Sequence, residues 1–144
     1  MIEIPEYAAQ VLRTLESNGF EAWCVGGCVR DSLLGRTPQD WDAATSALPE
    51  QVLELFGAQA RPTGLRHGTV TVRSGGQSIE VTTFRTDGTY RDGRRPDSVT
   101  FTRSLREDLS RRDFTVNAMA ADVRGTLCDP FGGRDDLRAG TLCC

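Results

Sequence analysis

Two stretches of the chain carry residue types that can act together on phosphate. Gly26-Gly27-Cys28-Val29-Arg30-Asp31 sets a double glycine at the start of a predicted helix, and Asp40-Trp41-Asp42 follows. Residues i and i+2 of a strand point to one face, so a strand starting at Asp40 puts the carboxylates of Asp40 and Asp42 side by side. Such a pair can share hard divalent cations. Glycines ahead of a helix N-terminus offer backbone N–H groups to a phosphate chain, which makes Gly26 and Gly27 candidate phosphate-binding positions. Phosphate turn and metal carboxylates together point to nucleotide chemistry. Each device also has a plainer reading. Asp-x-Asp can be a solvated strand end, a double glycine can be a tight turn, and Arg30 with Asp31 can be a surface pair.

All 17 basic residues are arginine. The absence of lysine excludes a Schiff-base lysine, a lysine nucleophile and the lysine of a Walker A loop. The net charge of −3 is unevenly spread: residues 1–60 hold three Arg against nine acids, and residues 85–112 hold eight Arg against five. An arginine-rich segment on an acidic chain suits local binding of phosphates, the alternative being a solvated loop. Arg111 and Arg112 lie in that segment.

The length of 144 residues suits one domain, and 38% hydrophobic residues can fill a core. No apolar run approaches the ~20 residues that span a bilayer. The N-terminus has neither a basic region nor an apolar run of the secretory type, so a soluble, cytoplasmic protein is expected. The five cysteines include no Cys-x-x-Cys, and His67 is the only histidine, so zinc is poorly supported. Reduced thiols in core strands are the expectation, with Cys143-Cys144 opening a further strand.

The elements that must position these residues follow from periodicity and breakers. A first helix is predicted over 5–18, ended by Asn18-Gly19, then a buried strand over 20–25. After Gly26-Gly27 a helix runs over 29–34, and after Pro38-Gln39 a strand over 40–45. A helix begins at Leu48-Pro49-Glu50; residues 58–66 are ambiguous. Thr69–Arg73 and Ser78–Phe84 form a hairpin about Ser74-Gly75-Gly76. Ile79 and Val81 share one face, so Glu80 faces the other, either exposed or turned toward Asp40 and Asp42. Residues 86–97 read as a polar loop suited to moving over a site. A strand over 99–101 and a short helix over 104–109 follow. Asp113 is expected to cap a helix through Ala120. A small hairpin over 122–129 and a helix over 134–139 complete the chain. This is an α+β pattern, a mixed sheet with flanking helices.

Three signatures stand in order: Gly26 to Arg36 with Asp40-Trp41-Asp42 and Ala44-Thr45; His67-Gly68-Thr69 leading to Ile79–Arg85; and Arg111–Ala120. Together they closely resemble the head (catalytic) domain of bacterial class II tRNA nucleotidyltransferases and of the related bacterial poly(A) polymerases, over about residues 20–142. The resemblance implies a nucleotidyltransferase fold of the DNA polymerase β type. It implies attack of an RNA 3′-hydroxyl on the α-phosphate of CTP or ATP, with pyrophosphate leaving. Asp40 and Asp42 match the family's metal carboxylates, and two Mg²⁺ ions there would activate the hydroxyl and neutralise the leaving group. Gly27 and Arg30 match positions that hold the triphosphate; Arg112 matches another nucleotide contact, with Arg111 assisting. Glu80 is the candidate third carboxylate. Asp31 and Asp113 read as structural, and His67 as a turn residue.

Family members continue into a neck with a Glu-Asp-x-x-Arg motif that reads the incoming base, then into body and tail domains that hold tRNA. The expectation is that residues 1–144 form the head alone, a fragment or a truncated protein, with weak triphosphate binding and poor choice between CTP and ATP. Members that add only CC have the loop at 86–97 shortened. Its apparent completeness here favours CCA or terminal A addition to the tRNA 3′ end. Poly(A) polymerase acting on another RNA primer is the alternative within enzymes. A non-catalytic nucleotide- or RNA-binding module is the alternative from another class.

Overall fold

The computed structural model describes residues 2–64, 67–87, 99–112 and 115–139. Helix α1 (Glu6–Ser17) buries Ala8, Val11, Leu12 and Leu15, one face of a helical repeat. Leu12 and Leu15 are fully buried, worth about 2 kcal/mol each against exposure. Asn18 and Gly19, the latter at φ +88°, end the helix. Strand β1 (Ala22–Val25) leads through Gly26 into α2 (Gly27–Leu33), and β2 (Asp42–Thr45) leads into α3 (Pro49–Phe56). The ambiguous stretch resolves into a 3-10 turn at Gly57–Gln59 and strand β3 (Ala60–Gly64). The hairpin is β4 (Thr69–Ser74) and β5 (Gln77–Thr83), joined by Gly75 and Gly76 at φ +57° and +79°, the left-handed pair a two-residue turn requires.

Strand β6 (Arg85–Asp87) pairs with β7 (Val99–Phe101) as a separate ribbon, followed by α4 (Leu105–Ser110), whose N-cap Ser104 accepts from the Glu107 amide. The loop expected over 86–97 lies outside the described residues except for Thr86 and Asp87, which belong to β6. A 3-10 turn (Thr115–Asn117), β8 (Ala120–Ala121), β9 (Leu127–Cys128) and α5 (Gly133–Ala139) follow.

Two expectations are corrected. Among the described residues of the helix proposed from Asp113 through Ala120, a 3-10 turn stands at Thr115–Asn117 in place of a helix, and Ala120 is taken by the sheet, paired with Val25. Sheet pairing overrides the local helical spacing; Asp113 itself lies outside the described residues. The strand proposed from Asp40 begins at Asp42. Val25 is the last residue of β1 to pair, so once Gly26 turns away Asp40 has no partner on that side.

The main sheet has the order β3-β4-β5-β2-β1-β8-β9. It is mixed, as the α+β reading requires: β2 and β5 run parallel and the other described pairs antiparallel. One face, with Cys24, Ala43, Val70, Val72, Ile79 and Val81, packs on α1 and α3 in the larger core. The opposite face carries Val25, Ala44 and Ala120 under Leu105, Leu109 and Phe84 in a smaller core. Cys24 and Cys28 are buried free thiols, the first on a strand as expected and the second on α2.

Candidate nucleotide and metal site

The antiparallel pairing of β1 and β2 puts Val25 opposite Asp42. The glycine turn that follows Val25 is therefore brought beside the carboxylate that opens β2. On the other side of β2, Asp42 is in register with Glu80 of β5. Directly opposed residues share a face, so Asp42 and Glu80 stand together on the smaller-core side. Trp41 is buried between exposed Asp40 and Asp42. The alternation that turns both carboxylates outward thus survives, although Asp40 precedes the strand.

Asp42 is open to solvent, yet packing around it pushes its carboxyl above the ordinary 3.8. Glu80 adds to the rise by repulsion, Arg112 opposes it, and Asp40 adds a smaller push. Crowded carboxylates of this kind gain from a cation between them. Among the described residues no three metal-ligating side chains converge into a ready cage. The donors are nevertheless hard oxygens, and Mg²⁺ is commonly held by one or two carboxylates completed by substrate phosphates. The residues fit that mode. A cleft of about 400 Å³ is lined by Gly27, Cys28, Asp31, Thr37, Asp40 and Asp42, among others. Burial pushes the Cys28 thiol up to about 11, which keeps it protonated and inert at neutral pH.

Both glycines lie beneath an arginine. Gly26 sits at φ +80°, and a Cβ on it would stand 3.7 Å from Arg112 Nη1. A Cβ on Gly27 would stand 3.2 Å from Arg30 Nη2. Arg30 therefore folds back over the first turn of its own helix. Its Nη1 donates to Asn117 Oδ1 at 3.0 Å and its Nε to Asp31 Oδ1 at 3.1 Å. Asp31 is thus the structural partner expected for it. Arg111 and Arg112 follow α4, and both reach Asp108, at 3.6 and 3.4 Å. Burial lowers the Arg112 pKa and Asp108 opposes that shift.

The fold thus brings Asp42, Glu80, Gly26, Gly27, Arg30 and Arg112 to one edge, with Asp40 beside them and Arg111 behind, at Asp108. His67 is exposed, and its carbonyl accepts from Arg85 Nη1 at 3.1 Å, a turn role. Sequence reasoning missed two residues. Asn117 was placed on a helix that does not form. Asp108 sits in an acidic pair, Glu107-Asp108, that resembles a solvated helix face; the two arginines at i+3 and i+4 were the available signal.

The profile of the Poly A polymerase head domain family matches residues 22–143. The CCA-adding enzyme of Geobacillus kaustophilus (strain HTA426) is 56% identical over 138 residues, 96% of this chain and 34% of that protein. The crystal structure of the Bacillus stearothermophilus CCA-adding enzyme in complex with CTP superposes with a TM-score of 0.87 at 49% identity, over 96% of this chain and 32% of that one. A tRNA nucleotidyltransferase complexed with a primer tRNA and an incoming ATP analog gives a TM-score of 0.64 at 34% identity, over 89% of this chain and 36% of that one. The chain spans about a third of the length of the relatives it matches. Motifs, mixed sheet and homology agree: the chain belongs to the Poly A polymerase head domain family, whose members among these relatives include CCA-adding enzymes.

Proposed function

We propose that residues 1–144 form the nucleotide-transferring head of an RNA nucleotidyltransferase that adds CMP and AMP from CTP and ATP to the 3′ end of tRNA. The observation that carries this reading is the register of Asp42 with Glu80 beside the arginine-covered Gly26-Gly27 turn. Carboxylates for cations and guanidinium groups for phosphates meet at one edge. Relatives solved with CTP, and with a primer tRNA and an ATP analog, support these substrates; among the described residues no helix is long and apolar enough to cross a membrane.

In the reaction the RNA 3′-oxygen bonds to the α-phosphorus, the bond from that phosphorus to the bridging oxygen breaks, and pyrophosphate leaves. Asp40, Asp42 and Glu80 would hold Mg²⁺, which lowers the pKa of the attacking hydroxyl and offsets charge on the leaving pyrophosphate. Arg30 and Arg112, assisted by Arg111, grip phosphate oxygens through paired N–H donors. Gly26 and Gly27 let the chain approach closely where a side chain would intrude. Asp42 must be ionised to serve, which its burial and Glu80 oppose and Arg112 favours.

The test is transfer of labelled CMP and AMP by the full-length chain in Mg²⁺ to tRNA ending at the discriminator base, at C or at CC. Incorporation confined to tRNA, absent in Asp42→Ala, is expected. Substantial turnover by Asp42→Ala would remove the metal role. The name of the matching family favours one second reading, poly(A) polymerase; runs of AMP added to generic RNA would establish it instead.

A further inference from the structure

Asp108 is the buried acid of this face. It is 0% exposed and lies on α4, the helix that gives Leu105 and Leu109 to the smaller core. Its two oxygens are divided. Oδ1 accepts from Arg112 Nη2 at 3.4 Å; Oδ2 accepts from the Arg85 amide at 3.0 Å and lies 3.6 Å from Arg111 Nε. Taking a carboxylate out of water is costly, and a well-packed apolar residue often serves stability as well or better. A charge here needs another reason.

We infer that Asp108 is a positioning residue for the triphosphate: it pins Arg111 and Arg112 in the pose that meets the phosphates, and through the Arg85 amide it ties that pose to the start of the β6–β7 ribbon. This rests on the function proposed above. Arginine has many rotamers, and ordering them when ligand arrives weakens binding. Asp108 does that ordering in advance. The side chains of Arg111 and Arg112 keep 17% and 20% of their exposure; the Nε of each is buried without a hydrogen-bond partner, so the part left to meet a ligand is the outer edge of each guanidinium. Arg112 is thereby held over Gly26.

The sign of one substitution decides the matter. If Asp108 acted only as a charge, removing it would raise the local positive field and tighten binding of an anionic nucleotide. If it positions the arginines, removal weakens binding. In the full-length chain, Asp108→Asn is expected to raise KM for CTP about tenfold with kcat little changed, the pattern of lost uniform binding. In an Arg111→Ala/Arg112→Ala background the same substitution changes KM less than about twofold, since pairs that act through one another are not additive. An unchanged or lower KM in Asp108→Asn, or an equal rise in both backgrounds, overturns the inference. If Arg111→Ala/Arg112→Ala itself leaves KM for CTP unchanged, the triphosphate reading fails along with it. A raised KM in the double-arginine variant with none in Asp108→Asn overturns Asp108 alone. Should Asp108→Asn not fold, Asp108→Glu keeps the charge but displaces it; a raised KM there supports the inference and an unchanged one overturns it.

Discussion

Arg112 lies over Gly26, its Nη1 3.7 Å from where a Cβ would stand, and Arg30 lies likewise over Gly27 at 3.2 Å. The two glycines nevertheless differ in what they demand. Gly26 holds φ +80°, a conformation side chains rarely adopt, whereas no such angle marks Gly27, the first residue of α2. Gly26→Ala is therefore expected to destabilise the domain by about 1–2 kcal/mol through its backbone. Gly27→Ala should leave the melting temperature unchanged or higher, because alanine suits a helix better, yet raise KM for CTP by displacing Arg30. Calorimetry with steady-state kinetics on both variants separates the two effects; equal losses of stability would contradict the assignment.

Asp42→Asn should abolish transfer and also stabilise the metal-free protein. The folded carboxyl is raised by burial and by Glu80, so between its ordinary and raised values the native state holds more protons than the unfolded state. Stability then falls as pH rises through that window. The substitution removes that component of the slope. Since the side chain is partly open to water, the gain in melting temperature is small, about 1–2 °C at neutral pH. Thermal melts in chelator from acid to neutral pH would measure it; a lower melting temperature in Asp42→Asn counts against a strained carboxylate.

Glu80→Gln should weaken the apparent affinity for Mg²⁺, raising the concentration required about tenfold, while leaving some transfer, since Asp40 and Asp42 remain. Glu80 is the strongest charge raising Asp42. Its loss should also move the acid limb of the pH–rate profile to lower pH. Magnesium titration and a pH profile test both; an unshifted acid limb would argue against coupling between the two carboxylates.

Asn117→Ala removes the acceptor that holds Arg30 at 3.0 Å. KM for CTP should rise a few-fold, with little change in kcat or melting temperature. The same turn is braced by α5. A Cβ on Gly133 would run into the Thr115 carbonyl, and the Thr115 hydroxyl donates to Asp136. Gly133→Ala should therefore cost about 3 kcal/mol by overpacking and also impair CTP binding through Asn117. Chemical denaturation of both variants gives the comparison: Asn117→Ala near wild type, Gly133→Ala far from it.

The chemistry-bearing residues were legible because their types and order are unusual: carboxylates two apart, a double glycine before an arginine, an arginine pair before an acid. Local periodicity also located α1, α3 and the β4–β5 hairpin. Long-range pairing was not legible. Nothing near Asp42 in sequence indicates that Glu80 is its parallel neighbour, and nothing at Ala120 indicates that β1 would claim it from a helix. The double glycine suggested a turn for phosphate; its relation to two guanidinium groups appears only when α4 and the 115–117 turn are folded over it. Asp108 was hidden for the same reason: its burial depends on the ribbon and β1, distant in the chain.

The two faces of the sheet also differ in how loss of function will present itself. The larger core, under α1 and α3, holds most of the buried apolar side chains, while the site sits on the side of the smaller one. Substitutions at Asp40, Glu80, Arg30 or Asn117 thus leave the main source of cohesion untouched. Variants impaired at these positions should express, purify and melt like the parent. A survey of natural or engineered variants that scores solubility or abundance will class them as benign, and only a direct assay of nucleotide transfer will reveal them.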